Sequence, residues 1–236
     1  MDNYRGITLI SCALKALLGL LTERIYEAAQ RENMIVPEQG GFRKREEAIA
    51  QFLTLSEIVR QRHLENKPMF GIFVDFKKAY DRVHHGALFR VLEHMGIRGR
   101  MLNFIKRLYR DNKVRVRTGG YLSDPFDMIR GNRQGCPLSP LLFIIFINGI
   151  LKECSAGGVK VPSVKKWDWD VPGALPRTVE EKCEGLIYAD DVIALEDSVE
   201  NAKMVCENLE QWAQKWGMEL GIAKCGVICW STNEEI

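Results

Sequence analysis

No two cysteines of this sequence have the C-x-x-C spacing that structural zinc sites use, and the total of seven cysteines is odd. The four histidines lie far along the chain from Cys225 and Cys229, so a structural zinc site is not expected. The chain also begins without a recognisable secretory leader. Together these features predict a reducing, intracellular location, nucleus or cytoplasm, rather than secretion.

Long uninterrupted apolar runs are equally scarce. Residues 7–21 are interrupted by Lys15, and residues 137–151 contain two prolines and Asn148. Both runs are too short to cross a bilayer, which requires about 20 apolar residues. We therefore expect two buried helices and no membrane partner.

Strong net charge is absent too, since the formal value is only +2. The charge is nevertheless uneven, because one stretch of the chain is rich in basic residues and contains the single acid Asp111. These basic residues are Arg98, Arg100, Lys106, Arg107, Arg110, Lys113, Arg115 and Arg117. The stretch could bind phosphates or could be a solvated helix face, and charge alone favours the solvated face.

Apolar periodicity predicts an α+β fold with a sheet covered by helices. Helices are expected over residues 8–30, 46–65, 86–95, 99–110, 137–151 and 199–216. Strands are expected over residues 69–75, 113–118 and 126–130, with a strand-turn-strand over 183–196. Residues 155–181 are polar and mixed, and we interpret them as an irregular excursion.

The most informative local pattern is the pair Asp190 and Asp191 between two apolar arms, residues 185–189 and 192–195. If the arms pair as a hairpin, both carboxylates lie at its tip, where they repel unless water or a cation surrounds them. Magnesium suits such a site because it prefers oxygen ligands. A solvent-facing Asp-Asp turn is the alternative, and this pattern alone does not decide between them.

A third acid, Asp75, ends the apolar run 69–74. A carboxylate there is unfavourable unless something positive meets it. Facing the Asp190 hairpin, it would complete a site for two metal ions about 3.5–4 Å apart, as used for nucleotidyl transfer. For Asp81 we prefer the role of a helix-starting acid or ion-pair partner.

A glycine-containing loop, residues 131–140, leads into the apolar helix. Glycine lets a backbone approach a ligand closely, and Gln134 offers both a donor and an acceptor to a sugar or base. Taken alone, the loop could equally be an ordinary helix-capping segment.

Five motifs follow one another along almost the whole chain. They are residues 3–9 (NYRGITL), 39–43 (QGGFR), 75–81 (DFKKAYD), 133–140 (RQGCPLSP) and 188–191 (YADD). In this order they resemble the reverse transcriptase domain of non-LTR, LINE-type retrotransposons. The resemblance implies an RNA-directed DNA polymerase whose fingers and palm are present, with an antiparallel palm sheet backed by helices, and whose thumb is absent.

The resemblance also implies a division of the chain. Residues 1–67 would be the N-terminal part of the fingers, 68–82 the first catalytic strand of the palm, 83–130 the second part of the fingers, and 131–236 the remaining palm.

Site residues are implied position by position. Asp75, Asp190 and Asp191 match the catalytic, magnesium-binding acids, with two ions expected and manganese as a possible substitute. Tyr80 matches the aromatic residue that closes off the sugar 2′ position, although it could simply be a core aromatic. The other positions that match a nucleotide site are Arg5, Phe76, Gln134, Gly135 and Lys224.

In this context the basic stretch becomes a template-contacting surface, with Lys106, Arg107, Arg110, Lys113, Arg115 and Arg117 assigned to it. Arg43, from the motif at residues 39–43, is assigned to the template as well. The implied partners are an RNA template, a DNA primer and deoxynucleoside triphosphates, with a thumb and an endonuclease elsewhere in a parent polyprotein. The alternative is a catalytically inactive RNA-binding scaffold or a retroelement remnant that keeps the same fold.

Overall fold

The computed structural model describes residues 6–110, 113–166 and 177–231 of the chain. Contacts divide the chain into two compact units. The first, called here the helical unit, draws on the stretches Met1–Val36, Lys77–Asn148 and Ala213–Glu219. The second, called the sheet unit, draws on Pro37–Phe76, Gly149–Trp212 and Leu220–Ile236.

The helical unit is built around a buried helix that is apolar except for Ser139 at its start. Its helices are α1 (Cys12–Arg31), α3 (Ala79–Arg82), α4 (His85–His94), α5 (Gly99–Tyr109) and α6 (Ser139–Ile147). Two short ribbons complete it, β2 (Lys113–Val114) with β5 (Phe126–Asp127), and β3 (Arg117–Thr118) with β4 (Tyr121–Leu122). Every residue of α6 except Pro140 is buried, and α4 packs against both α5 and α6. Pro140 lies in the first turn of α6, where proline's missing N–H costs no hydrogen bond.

The sheet unit contains a four-stranded antiparallel sheet in the order β10-β1-β9-β8. These strands are β1 (Met69–Val74), β8 (Gly185–Tyr188), β9 (Asp191–Glu196) and β10 (Gly226–Trp230). A separate ribbon pairs β6 (Val159–Lys166) with β7 (Arg177–Cys183), and the short helix α7 (Ile150–Cys154) precedes it. Helix α2 (Ala48–Leu64) covers one face of the sheet, where Ile58 packs with Leu186 and Ile193.

Helix α8 (Val199–Trp216) begins in the sheet unit and ends in the helical unit. Within the sheet unit its buried side is formed by Ala202, Val205, Leu209 and Trp212. This spacing of three to four residues is the apolar stripe that the sequence predicts for an amphipathic helix.

Most predicted elements are confirmed, with end shifts of a few residues. The helix expected over residues 137–151 is instead two helices, α6 and α7, with a turn at Asn148 and Gly149 between them. The Asn148 amide accepts a hydrogen bond from the Val36 N–H at 2.9 Å and donates one to the Met34 carbonyl at 2.8 Å. The irregular excursion expected over residues 155–181 is wrong in its described part, because β6 and most of β7 lie there. Strand β10 was not predicted.

The division into fingers and palm stays a prediction, and the two units group some of its residues differently. Residues 37–67, expected in the fingers, group with the sheet, whereas residues 131–148, expected in the palm, group with the helical unit. Among the described residues, no helix combines the length and apolar character needed to span a membrane.

Candidate active site

Strand β1 carries Asp75 to one end of the sheet. Its six residues are almost wholly buried between β10 and β9, as their apolar sequence predicts. Val74 pairs with Val192 on β9. Continuing this register by one residue sets Asp75 opposite Asp191, and residues directly opposite on one sheet face have Cβ atoms about 5 Å apart.

The acid pair lies at a tight hairpin, as predicted. Tyr188 and Asp191 pair at the ends of β8 and β9, so that only Ala189 and Asp190 form the turn. Ala189 has φ of 58°, a left-handed conformation that favours glycine and costs other residues about 1–3 kcal/mol. The turn that presents the acids is therefore strained and must be held by its surroundings.

Asp75 and Asp191 line the same cavity, whose volume is about 320 Å³. Burial raises the pKa of the Asp191 carboxyl, and the negative charges of Asp190 and Asp75 raise it further. The Lys224 ammonium lowers the pKa and so opposes these effects. Asp75, which is remote from the pair in sequence, is thus close enough to affect the ionisation of Asp191.

A short segment after α8 surrounds Asp75. The Lys224 Nζ lies 3.7 Å from the Asp75 Oδ1. The Gly221 N–H donates to the Asp75 carbonyl at 2.7 Å, and a Cβ at position 221 would overlap the Asp75 Oδ2. The Asp75 N–H donates to the Cys225 sulfur at 3.4 Å. These contacts fix the position of the Asp75 backbone and leave room for its carboxylate.

The carboxylate oxygens suit magnesium chemically. Within residues 6–110, 113–166 and 177–231, however, no three His, Cys, Asp or Glu side chains are grouped closely enough to hold a metal ion. The donor chemistry of the carboxylates therefore suits the ion, and the positive charge beside Asp75 in this structure is that of Lys224.

The predicted nucleotide residues Tyr80, Gln134 and Gly135 belong to the helical unit, where the motifs that carry them are in contact. The Asn132 N–H donates to the Tyr80 carbonyl at 2.8 Å, and the Gln134 amide donates to the Asp81 carboxylate at 2.8 Å. The Tyr80 ring stacks on Phe143 with centroids 4.3 Å apart.

Within that loop, Gly135 is exposed with φ of 95°, which only glycine adopts readily. Asp81 lies in the first turn of α3, consistent with a helix-starting acid. The structure thus joins two of the predicted motifs in the helical unit.

Phe76 and Arg5 were also predicted to contact the nucleotide. Phe76 is only 4% exposed and packs against Trp212, with ring centroids 5.9 Å apart. Its side chain therefore offers little surface to a ligand. Arg5 lies outside the described residues.

The predicted template-contacting residues divide between the units. Arg43 lies in the sheet unit, where its guanidinium donates to the carbonyls of Pro37 and Gln39. The remaining six lie in the helical unit, at the end of α5 and in the short ribbons after it. All six except the partly buried Lys106 are exposed, namely Arg107, Arg110, Lys113, Arg115 and Arg117.

Four residues with a direct role in the geometry of the acids were not predicted as site residues. Gly221 and Cys225 contact Asp75, whereas Gln39 and Gly41 contact the turn at Ala189. For Gln39 and Gly41 the available signal was the motif at residues 39–43. No signal in the sequence alone pointed to Cys225, because its contact is with backbone 150 residues away.

The sequence is similar to known proteins over nearly its whole length. Residues 1–235 match the family model described as "Reverse transcriptase (RNA-dependent DNA polymerase)". The chain is 30% identical over 200 residues to a Pol polyprotein of a type-1 R2 retrotransposable element from Popillia japonica. It is 28% identical over 225 residues to an R2 polyprotein from Nasonia vitripennis.

These matches cover 84% and 94% of the chain but only 25% and 20% of the two relatives, so the chain spans about a quarter or less of their length. Among solved structures, telomerase from Candida tropicalis in complex with a fragment of telomeric RNA is similar, with a TM-score of 0.61. That similarity covers 93% of this chain and 34% of the telomerase chain at 16% identity, and so it shows a common fold alone.

Proposed function

The chain belongs to the reverse transcriptase (RNA-dependent DNA polymerase) family, with relatives among the polymerases of non-LTR retrotransposons, and we propose that it extends a primer on an RNA template by two-metal nucleotidyl transfer. The observation that carries the proposal is the position of Asp75 and Asp191 on one cavity at the end of the sheet, with Asp190 in the adjoining turn. The family match adds the reaction class, and the residues supply its chemistry.

Asp75, Asp190 and Asp191 would hold the two magnesium ions through carboxylate oxygens. Bound there, the ions would assist deprotonation of the primer hydroxyl and neutralise the leaving pyrophosphate. Burial raises the pKa of the Asp191 carboxyl, and repulsion from the charges of Asp190 and Asp75 raises it further. A divalent ion would remove that repulsion, so the three acids together favour the binding of a cation.

Lys224 has two roles in this proposal. Beside Asp75 its ammonium partly neutralises the acids. Because its side chain is 77% exposed, it can swing away when ions and a triphosphate arrive. After this movement, the Lys224 ammonium can donate a proton to an oxygen of the released pyrophosphate.

The motif matches, and not a position beside the acids, assign further nucleotide contacts to residues of the helical unit. Tyr80, held flat against Phe143, is assigned to the sugar 2′ position, and Gln134 with Gly135 to the incoming nucleotide. Phe76 would contribute through its backbone, since its side chain is buried. Arg5 is assigned to the triphosphate, for which a bidentate guanidinium is suited.

The proposed partners are an RNA template, a DNA primer and deoxynucleoside triphosphates. The R2 relatives are named as polyproteins of retrotransposable elements, and the similar telomerase is bound to telomeric RNA. The exposed basic side chains after α5 are the proposed template surface.

Primer extension on an RNA template with magnesium tests the proposal, comparing the protein with Asp190→Asn. We expect incorporation to fall by at least about 100-fold in the variant, because loss of a charged ligand removes transition-state stabilisation at the metal site. Glu207→Gln, an exposed position on α8, is the matched control and should extend normally.

Equal incorporation by the protein and Asp190→Asn would reject this site. Failure of both to extend, together with retained RNA binding, would support the inactive RNA-binding scaffold instead.

A second experiment addresses the sugar. Tyr80→Ala should admit ribonucleotides more readily, because it removes the ring that would clash with a 2′ hydroxyl. The measurement is the ratio of kcat/KM for a deoxynucleotide and its ribonucleotide, which we expect to fall by about 10-fold or more. Phe143→Leu, which alters the stacking partner but keeps the Tyr80 ring, is the comparison. An unchanged ratio in Tyr80→Ala would make Tyr80 a core aromatic only.

A further inference from the structure

The segment that precedes α2 lies directly against the turn that carries the acids. The Ile187 N–H of β8 donates to the Glu38 carbonyl at 2.9 Å, and the Gly40 N–H donates to the Ile187 carbonyl at 2.8 Å. Through these bonds the segment extends the sheet beyond β8. We propose that Gln39 and Gly41 are positioning residues that hold the Ala189-Asp190 turn in its catalytic geometry. The proposal rests on the proposed polymerase function and assigns no contact with substrate to either residue.

Gln39 makes the contact with its side chain. Its amide is fully buried, and its Oε1 accepts from the Ala189 N–H at 2.9 Å and from the Gly41 N–H at 2.7 Å. One oxygen thus joins the supporting segment to the strained residue of the turn. Without it, the N–H of Ala189, a residue only 7% exposed, would lose its partner.

Burial of the Gln39 amide nitrogen has a free-energy cost. Its Nε2 is buried and has no hydrogen-bond partner among the residues described. An apolar side chain of similar length would avoid that cost. The reason for a glutamine at this position is therefore its side-chain oxygen, which accepts the hydrogen bond from the turn.

Gly41 makes the contact by having no side chain. A Cβ at this position would overlap the Ala189 nitrogen and would lie 2.8 Å from the Ala189 Cα. Both are backbone atoms of the turn, so the turn itself would have to move. For a Cβ on the neighbouring Gly40, the nearest atoms would be those of the Gln51 side chain, which is flexible, and not backbone atoms of the turn.

Because Asp190 follows Ala189 directly and Asp191 begins β9, any movement of Ala189 moves both acids relative to Asp75. Reacting groups tolerate little displacement, and about 1 Å can cost about 100-fold in rate. Gly41 and Gly40 therefore form a matched pair of positions. An added Cβ would contact the backbone of the turn at Gly41 and a flexible side chain at Gly40.

The experiment compares Gly41→Ala with Gly40→Ala, using Asp190→Asn as the reference for loss of the site. In primer extension, Gly41→Ala should lower kcat by about 10- to 100-fold while the nucleotide KM changes by less than about 3-fold. Gly40→Ala should stay within about 3-fold of the unmodified protein in both constants. Binding of Mn²⁺ without nucleic acid, followed by electron paramagnetic resonance, should weaken in Gly41→Ala and Asp190→Asn but not in Gly40→Ala.

Equal kcat and equal Mn²⁺ affinity in the two glycine variants would overturn the proposal. If the unmodified protein binds Mn²⁺ but extends no primer, the proposed function fails, and the Mn²⁺ comparison alone decides on Gly41. If it binds no Mn²⁺, the positioning role fails too.

If Gly41→Ala does not fold, as judged by circular dichroism, a second pair decides. Gln39→Glu keeps an oxygen acceptor of the same shape and should retain Mn²⁺ binding and activity better than Gln39→Met, which has none. Equal losses in both would reject the role of the Gln39 oxygen.

Discussion

At the scale of single residues, the space beside Asp75 is set by Gly221. Its N–H binds the Asp75 carbonyl, and its missing side chain leaves the position that the Asp75 Oδ2 occupies. Gly221 does not have a positive φ, so alanine is conformationally allowed there. The glycine is required by the carboxylate and not by the backbone.

Gly221→Ala should therefore impair catalysis more than folding. The added methyl group would turn the Asp75 carboxylate away from the cavity, and we expect primer extension to fall by about 10-fold or more. The melting temperature should change by only about 3 °C. Gly226→Ala is the control, because a Cβ at Gly226 meets nothing within 4 Å. Similar activity in both variants would contradict this role of Gly221.

Whether a site residue can be predicted from the sequence depends on what that residue contacts in the fold. Asp75 and the Asp190-Asp191 pair were predicted because acids beside apolar strands are costly, and that cost is visible in sequence. The roles of Gly221 and Gly41 depend on atoms that would overlap across the fold. A glycine in a sequence does not reveal whether it serves a turn or makes room for a distant neighbour.

At the scale of elements, strand β9 is fixed at the end remote from its acids by Glu196. This carboxylate is fully buried and accepts hydrogen bonds from Ser155 Oγ at 3.1 Å, Ala156 N–H at 2.8 Å and Gly158 N–H at 3.1 Å. The loop between α7 and β6 thereby closes around the end of β9. A buried carboxylate is acceptable here because backbone and hydroxyl donors solvate it.

Glu196→Gln should lower the free energy of unfolding by about 1–3 kcal/mol. The new amide NH₂ would replace one carboxylate oxygen and face an N–H donor, so one buried group loses its partner. Urea denaturation measures the change, with Glu207→Gln on the exposed side of α8 as the control. A loss no larger than in Glu207→Gln would show that the charge of Glu196 is not needed.

The elements themselves were predictable where the apolar pattern is long and regular, as in α2 and α8. Strand β10 was missed because it lies at the edge of the sheet, and Val227 and Ile228 are 54% and 46% exposed, so no alternation marks a buried face. The ribbon of β6 and β7 was missed for a related reason, since polar and charged residues dominate both strands. Pairing between strands defines these elements.

At the scale of the whole molecule, the small net charge of +2 hides a local concentration of positive charge. The exposed basic side chains at the end of α5 and in the ribbons after it lie in the helical unit, whereas the three acids lie in the sheet unit. The basic stretch and the three acids thus belong to different units.

If the basic stretch contacts the template, RNA binding must depend on salt through those side chains. Each phosphate contact to a single strand contributes about 0.7 to the slope of log K against log salt concentration. Replacing both Arg107 and Arg115 with glutamine should therefore reduce that slope by about 1.4 units. Filter binding to single-stranded RNA over a salt series gives the slopes. Lys203→Gln removes an exposed charge from α8, outside the stretch, and should leave the slope unchanged. A slope in the double variant equal to that of the unmodified protein would remove this surface from the template path, while the assignment of the three acids would stand.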